Sequence, residues 1–241
     1  MILGAFGDSF LFGNELQDLP EVFPLGYDFN RCSHLTYPAL LAKKLELPYQ
    51  CFAFPGVGNQ WILNNILSCI QRNKDSVFYV INWTWIDRFD IYDKNSQDQF
   101  NRRWVTVRPS LDNHSIDKFY YKNMHSEMLD KTLSLGHIYQ AICALESNSC
   151  KYIMTYMDDL IFDYRWHATE NILFLQSQIK DKLDNYDSKT FIDWAKINQY
   201  KFGKYNHPLE LAHEKAAEYW LPKVRTLLNT HAKEDYLHAF I

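Results

Sequence analysis

The sequence predicts an α/β fold: a three-layer α/β/α sandwich around a mostly parallel sheet. Three observations carry this. Short β-rich runs alternate with longer segments of helical periodicity, the pattern of repeated βαβ units. The chain has 241 residues, 47% of them hydrophobic, enough for a sizeable core and for one large domain rather than two. Two irregular stretches, residues 11–33 and 85–124, each follow a strand, and loops at strand C-termini form the binding crevice of an open α/β sheet.

The elements follow in order. The first β-rich run is Ile2 to Phe6, the second Tyr49 to Phe54, the third Ser76 to Thr84 and the fourth Lys151 to Met157. Helical spacing of apolar residues marks Tyr37 to Leu45 and Asn59 to Arg72, the latter through Trp61, Ile62, Ile66, Cys69 and Ile70. A longer helix is expected from His125 to Ser147, with Leu129, Leu133, Ile138, Ile142 and Leu145 as its buried stripe. The last helix is expected from about Pro208 to Leu228, opening on the proline that suits a first turn. The domain is expected to span residues 1–230 with insertions near 11–33 and 85–124. Residues 231–241 form a C-terminal tail that docks on a partner subunit or folds back; the residues leave both open.

The two insertions are read as lid or specificity loops. Trp85, Phe89, Tyr92, Phe100, Trp104, Tyr120 and Tyr121 give the second more aromatic content than a disordered loop carries. Aromatics make up 16% of the chain, high enough to furnish a substrate surface as well as a core.

Composition excludes several function classes. The net charge is −4, and Lys43-Lys44 and Arg102-Arg103 form no sustained stripe, so no nucleic-acid partner is expected. No apolar stretch approaches the ~18 residues that cross a bilayer, and polar residues interrupt the first apolar run too early for a secretory signal. The expectation is a cytoplasmic protein without membrane contact. The five cysteines are scattered without Cys-x-x-Cys spacing, and neither a disulfide framework nor a zinc site is expected.

The chemistry-bearing residues begin with Gly7-Asp8-Ser9, directly after the first strand. A serine at a strand end, on a glycine-containing turn, can act as a nucleophile if a base takes its proton and backbone donors hold the oxyanion. The same residues also suit a helix cap. A candidate base is His207, in Tyr205-Asn206-His207-Pro208, where the proline fixes an extended backbone just before the final helix. His213 reads as a packing or surface residue. His207 and His213 share no helix face, so no metal is expected.

Taken together, an N-terminal Gly-Asp-Ser, a glycine-bearing turn after the second strand (Pro55-Gly56-Val57-Gly58-Asn59), a polar motif ending the third (Asn82-Trp83-Thr84) and a His-Pro before the last helix resemble the ordered blocks of the GDSL/SGNH hydrolases. The resemblance spans almost the whole chain and implies the flavodoxin-like SGNH-hydrolase fold. It implies Ser9 as nucleophile, His207 as base, the amides of Ser9 and Gly56 as oxyanion donors with Gly58 as the alternate, and no cofactor. Asp8 joins the substrate-binding group beside them.

Two blocks depart from the family pattern. Its Gly-x-Asn appears here as Asn82-Trp83-Thr84, so Thr84 takes the side-chain donor position and Asn82 the glycine position, with Asn59 as a substitute donor. Where the family places an aspartate two or three residues before the histidine, this chain has Lys204 and Tyr205. Either a backbone carbonyl holds the ring in a Ser-His dyad, or Asp158 or Asp159 reaches in from the end of the fourth strand. The expected function is ester hydrolysis of a small-molecule or carbohydrate ester, O-acylated sugar being the first candidate, with weak activity. The alternative is a catalytically impaired relative that binds a glycan or a protein. Transfer to an acceptor sugar would use the same residues.

Overall fold

The computed structural model describes residues 1–19, 31–73, 76–92, 104–109 and 115–238. Phe100 and Arg102-Arg103 lie outside the described residues, as do residues 20–30 of the first insertion and the final residues of the tail.

Four parallel strands form the sheet: β1 (Ile2–Phe6), β2 (Tyr49–Cys51), β3 (Val77–Trp83) and β6 (Lys151–Tyr156). Their order is β2-β1-β3-β6. All seven residues of β3 are buried, and apart from Asn82 it reads as an apolar run, because both faces of a central parallel strand are covered. Leu3 sits opposite Tyr49 on one side and Phe78 on the other. From β1 the chain goes to one neighbouring strand and later returns to the other, so the C-terminal end of β1 is a topological switch point, where open α/β sheets bind ligands.

Helices cover both faces. On one lie α2 (Tyr37–Lys44), α7 (Phe191–Ile197) and α8 (Glu210–His238), around a core containing Leu3, Phe12, Leu41, Val80, Tyr186, Phe191 and Trp220. On the other lie α3 (Asn59–Asn73), α5 (Glu127–Ser147) and α6 (Glu170–Ile179), around Phe6, Ile62, Ile66, Ile81, Ile138 and Met154. The layers follow from polar signals in the sequence. Ser126, Thr169 and Thr190 cap α5, α6 and α7 by accepting the amides of Leu129, Ile172 and Asp193.

The strands and helices expected from periodicity are present with shifts of a few residues, but three differences stand out. The helices α6 and α7 were not expected; each is short, and α7 has only two helical turns in which to display a period. The stretch after β3, expected as a loop, contains an antiparallel pair, β4 (Phe89–Tyr92) with β5 (Trp104–Val107), and the helix α4 (Ser115–Asn123). Its aromatics serve packing: Phe89 stacks on Tyr120 at 4.6 Å and Tyr92 meets Trp104 edge-on at 5.4 Å. The last helix continues past Leu228 to His238. Among the described residues, no helix is long and apolar enough to cross a membrane.

Candidate active site

The site is built at the switch point by the turn that follows β1. Asp8 caps α1 (Ser9–Phe12) by accepting the Phe10 amide at 3.1 Å. The cap and the nucleophile candidate are therefore adjacent residues of one turn, and the two readings of Asp8-Ser9 coexist. The helix ends after one turn because Gly13 takes the left-handed conformation, φ 90°, and returns its amide to the Ser9 carbonyl at 2.9 Å. A side chain there would lie 2.3 Å from Ser33 Cβ, so only glycine fits. Two residues later Glu15 is also left-handed, at φ 69°. For a residue with a long side chain that conformation costs on the order of 1 kcal/mol, and the contacts of its carboxylate hold it there.

Those contacts belong to a chain of hydrogen bonds. His207 Nε2 lies 2.9 Å from Ser9 Oγ, and His207 Nδ1 lies 2.7 Å from Glu15 Oε2. The Glu15 carboxylate also accepts the Tyr205 amide at 2.9 and 3.0 Å and the His207 amide at 3.4 Å. Burial raises its pKa, but hydrogen bonds from the His207 ring and the Tyr205 amide, with the charge on His207, outweigh that and hold it below the ordinary glutamate value. An ionised carboxylate only accepts, so Nδ1 carries the proton facing Glu15. Nε2 is then left to accept from the Ser9 hydroxyl.

The loop bearing His207 is shaped for this contact. Phe202 and Pro208 form a β-bridge, the Gly203 amide donates to the His207 carbonyl at 2.9 Å, and Asn206 is left-handed at φ 62°. Gly203 makes room for the acid, since a Cβ there would sit 2.5 to 2.7 Å from the Glu15 carboxyl group. The imidazole packs on Phe10, ring centroids 4.8 Å apart.

Sequence reasoning placed the acid elsewhere. Asp158 does not reach His207; its carboxylate accepts the Ile86 amide at 3.1 Å and the Leu160 amide at 3.0 Å, joining the loop after β3 to the 3-10 turn Asp159–Phe162. The carbonyl-held dyad is likewise replaced, because a carboxylate occupies the second ring nitrogen.

The side-chain donors expected of Thr84 and Asn59 are committed to the scaffold, whereas Asn82 is engaged through its oxygen alone. Thr84 is fully buried and its hydroxyl donates to Asp8 at 2.8 Å. Asn59 accepts the Thr84 amide at 2.9 Å and donates to the Thr84 carbonyl and the Ser134 hydroxyl, tying α3 to the end of β3. Asn82 is buried and accepts from the Thr155 hydroxyl at 2.7 Å. None of the three lines the cavity beside Ser9. The Gly58 amide is used as well: it donates to Asp90, whose other oxygen accepts the Trp61 amide at 2.8 Å, so Asp90 caps α3 from β4. Burial pushes the Asp90 carboxyl up, offset in part by the Thr106 hydroxyl. Among the described residues, the amides of Ser9 and Gly56 have no such acceptor. Gly56 is left-handed at φ 76° and faces the cavity.

Sequence reasoning also missed Arg88. It donates to Asp8 and to the Val57 carbonyl, each at 3.0 Å, and lies 4.6 Å over the Trp85 ring. It neutralises the buried Asp8 carboxylate and links the first two blocks. Asp8 is thus a positioning residue for the Ser9 turn. His213 is a core residue whose Nδ1 accepts the Tyr37 amide at 3.1 Å.

Ser9 and His207 open into a cavity of about 740 Å³ walled by Phe10, Phe54, Trp61, Trp85, Trp104 and Tyr205. Among the described residues, no group of three or more His, Cys, Asp or Glu side chains is placed to hold a metal ion.

No family model matches the sequence, and a search of curated proteins finds no match. Solved structures do match. TesA aligns over 94% of this chain and 99% of its own, with TM-score 0.51 and 13% identity. The psychrotrophic esterase EstA from Pseudoalteromonas sp., inhibited by monoethylphosphonate, aligns over 95% of this chain and 99% of its own, with TM-score 0.53 and 9% identity. A lipolytic protein of the G-D-S-L family from Veillonella parvula aligns with TM-score 0.47 at 13% identity, over 92% and 97% of the two chains. The first two likenesses define the class of fold, that of the SGNH hydrolases, with its mostly parallel central sheet flanked by helices.

Proposed function

We propose that the protein is a serine ester hydrolase in which Ser9, His207 and Glu15 form the catalytic triad. The carrying observation is the continuous chain of two hydrogen bonds, 2.9 Å from Ser9 Oγ to His207 Nε2 and 2.7 Å from His207 Nδ1 to Glu15, at the mouth of a cavity.

In the first half-reaction His207 Nε2 takes the Ser9 proton as Oγ attacks the acyl carbonyl carbon. The carbonyl oxygen becomes an oxyanion held by the amides of Ser9 and Gly56, while Glu15 stabilises the imidazolium and keeps its tautomer. Collapse of the tetrahedral intermediate breaks the bond to the alcohol, which leaves with the proton from Nε2. Water then attacks the acyl-enzyme, His207 takes its proton, and the carboxylic acid departs as Ser9 regains its hydrogen. With two backbone donors and no side-chain donor in the hole, turnover is slower than a third donor would allow; one such donor is worth ~100- to 1,000-fold.

The aromatic walls support a ring-bearing alcohol, an O-acylated carbohydrate being the first candidate, because sugar faces stack on Trp and Tyr. EstA, which shares the fold, is an esterase inhibited by a phosphonate, which supports the ester-hydrolase reading. The rival reading, a glycan- or protein-binding relative without turnover, draws on the missing side-chain donor. A fluorophosphonate probe separates the two: an adduct on Ser9, absent from Ser9→Ala, is expected, and no labelling would favour the binding reading.

A further inference from the structure

The cavity beside Ser9 is positively charged in a chain whose net charge is −4. Arg88, Arg108 and Lys196 line it, together with His207, and among the described lining residues there is no Asp or Glu. Arg88 is occupied by Asp8 and Val57. Arg108, at the exit of β5, has neither a carboxylate nor a hydrogen-bonding partner among the described residues.

Its guanidinium is set against the backbone of Gly56. A Cβ at that glycine would lie 2.3 Å from Arg108 Nη1 and 3.2 Å from Cζ. Gly56 therefore serves two ends: its left-handed backbone forms the turn, and its missing side chain admits a cation beside the amide assigned to the oxyanion. Lys196, on α7, adds a second charge to the lining, with Asp193 3.8 Å from its ammonium group.

We infer that the ester this site takes carries an anionic group of its own, a carboxylate or a phosphate, which Arg108 binds while the acyl carbonyl lies at Ser9. The inference rests on the ester-hydrolase reading for the place of the acyl group. A planar guanidinium fork matches the paired oxygens of either anion, and charge-assisted hydrogen bonds are about twice as strong as neutral ones. A neutral ester would offer the same cation only uncharged acceptors, so the site discriminates against it.

The test uses Ser9→Ala protein, which binds without turnover, and calorimetric titration with two matched pairs. One pair is an O-acetylated methyl galacturonoside against the corresponding acetylated methyl galactoside; the other is acetyl glycerol 3-phosphate against monoacetyl glycerol. At least one anionic ester is expected to bind ~10- to 100-fold more tightly than its neutral partner, and which pair responds identifies the anion. Adding Arg108→Gln should remove most of that preference, while Arg108→Lys keeps part of it. Equal affinity within both pairs, no binding of either anionic ester, or a preference that survives Arg108→Gln would overturn the inference. Acetate release from the same esters by the unmodified protein reports separately on hydrolysis. Anion preference without release would contradict the hydrolase reading alone, and release without preference would contradict this inference alone.

Discussion

Glu15 and His207 are separated by 192 positions in the chain, yet the carboxylate of one lies 2.7 Å from the ring nitrogen of the other. In the proposed triad the acid comes from the same turn region as the nucleophile, six residues after it, and not from the loop that carries the base. That arrangement makes the N-terminal segment Gly7 to Glu15 the source of two of the three proposed triad members.

Replacing Glu15 with Gln keeps the shape of the side chain and removes its charge. A fall in kcat of ~1,000- to 10,000-fold with little change in KM is expected, because the carboxylate acts on the imidazolium that forms in the transition state. Steady-state kinetics on an activated aryl ester measures it.

Gly203→Ala adds a methyl group 2.5 Å from the Glu15 carboxyl carbon. The carboxylate must retreat, and a misplacement of ~1 Å costs up to ~100-fold in rate. The expected result is a kcat lowered by ~10- to 100-fold with thermal stability nearly intact. Shortening the acid in the double variant Gly203→Ala, Glu15→Asp should recover part of the loss relative to Gly203→Ala alone.

Asn59→Ala separates scaffold from catalysis. The substitution leaves the Thr84 amide and carbonyl without their partners in a buried place. A stability loss of ~1–3 kcal/mol is expected in urea unfolding. Were Asn59 an oxyanion donor, kcat would fall by ~100-fold or more with stability unchanged, and that outcome would restore the role its sequence position suggested.

Acid sensitivity has a defined source. Burial, with a smaller contribution from the charge on His207, pushes His213 down to about 3, against an ordinary value of 6.5. Between those values the unfolded chain binds a proton that the folded chain does not, so stability falls as pH is lowered through that window, by ~1.4 kcal/mol per pH unit for this group. Glu15 has a depressed pKa, so its contribution is present above the ordinary glutamate value of 4.5 and is lost as pH falls through its folded value. Chemical unfolding between pH 7 and pH 4 should be less pH-dependent in His213→Asn, whose amide oxygen can still accept from Tyr37. An unchanged slope would assign the sensitivity elsewhere.

Much of this was legible in the sequence because it rests on local signals. Alternating apolar runs fix the sheet, and Ser9, Gly56 and His207 stand where their turns require them. Glu15 was not legible, since its partner is remote in sequence and the only local sign is the Gly13-Asn14 turn before it. Thr84 and Asn59 were misread for a related reason: residue type and spacing do not reveal which polar groups the scaffold has already engaged. Asp158, at a strand end and of the right chemistry, is consumed by two backbone amides.

The most direct measurement is the rate at which a fluorophosphonate labels Ser9 in the unmodified protein and in Glu15→Gln. Labelling requires an activated serine, and Glu15 acts only through His207. A rate lowered by ~1,000-fold or more in Glu15→Gln, with the adduct still on Ser9, is the predicted result. Labelling of Ser9 at the same rate in both proteins would contradict the triad.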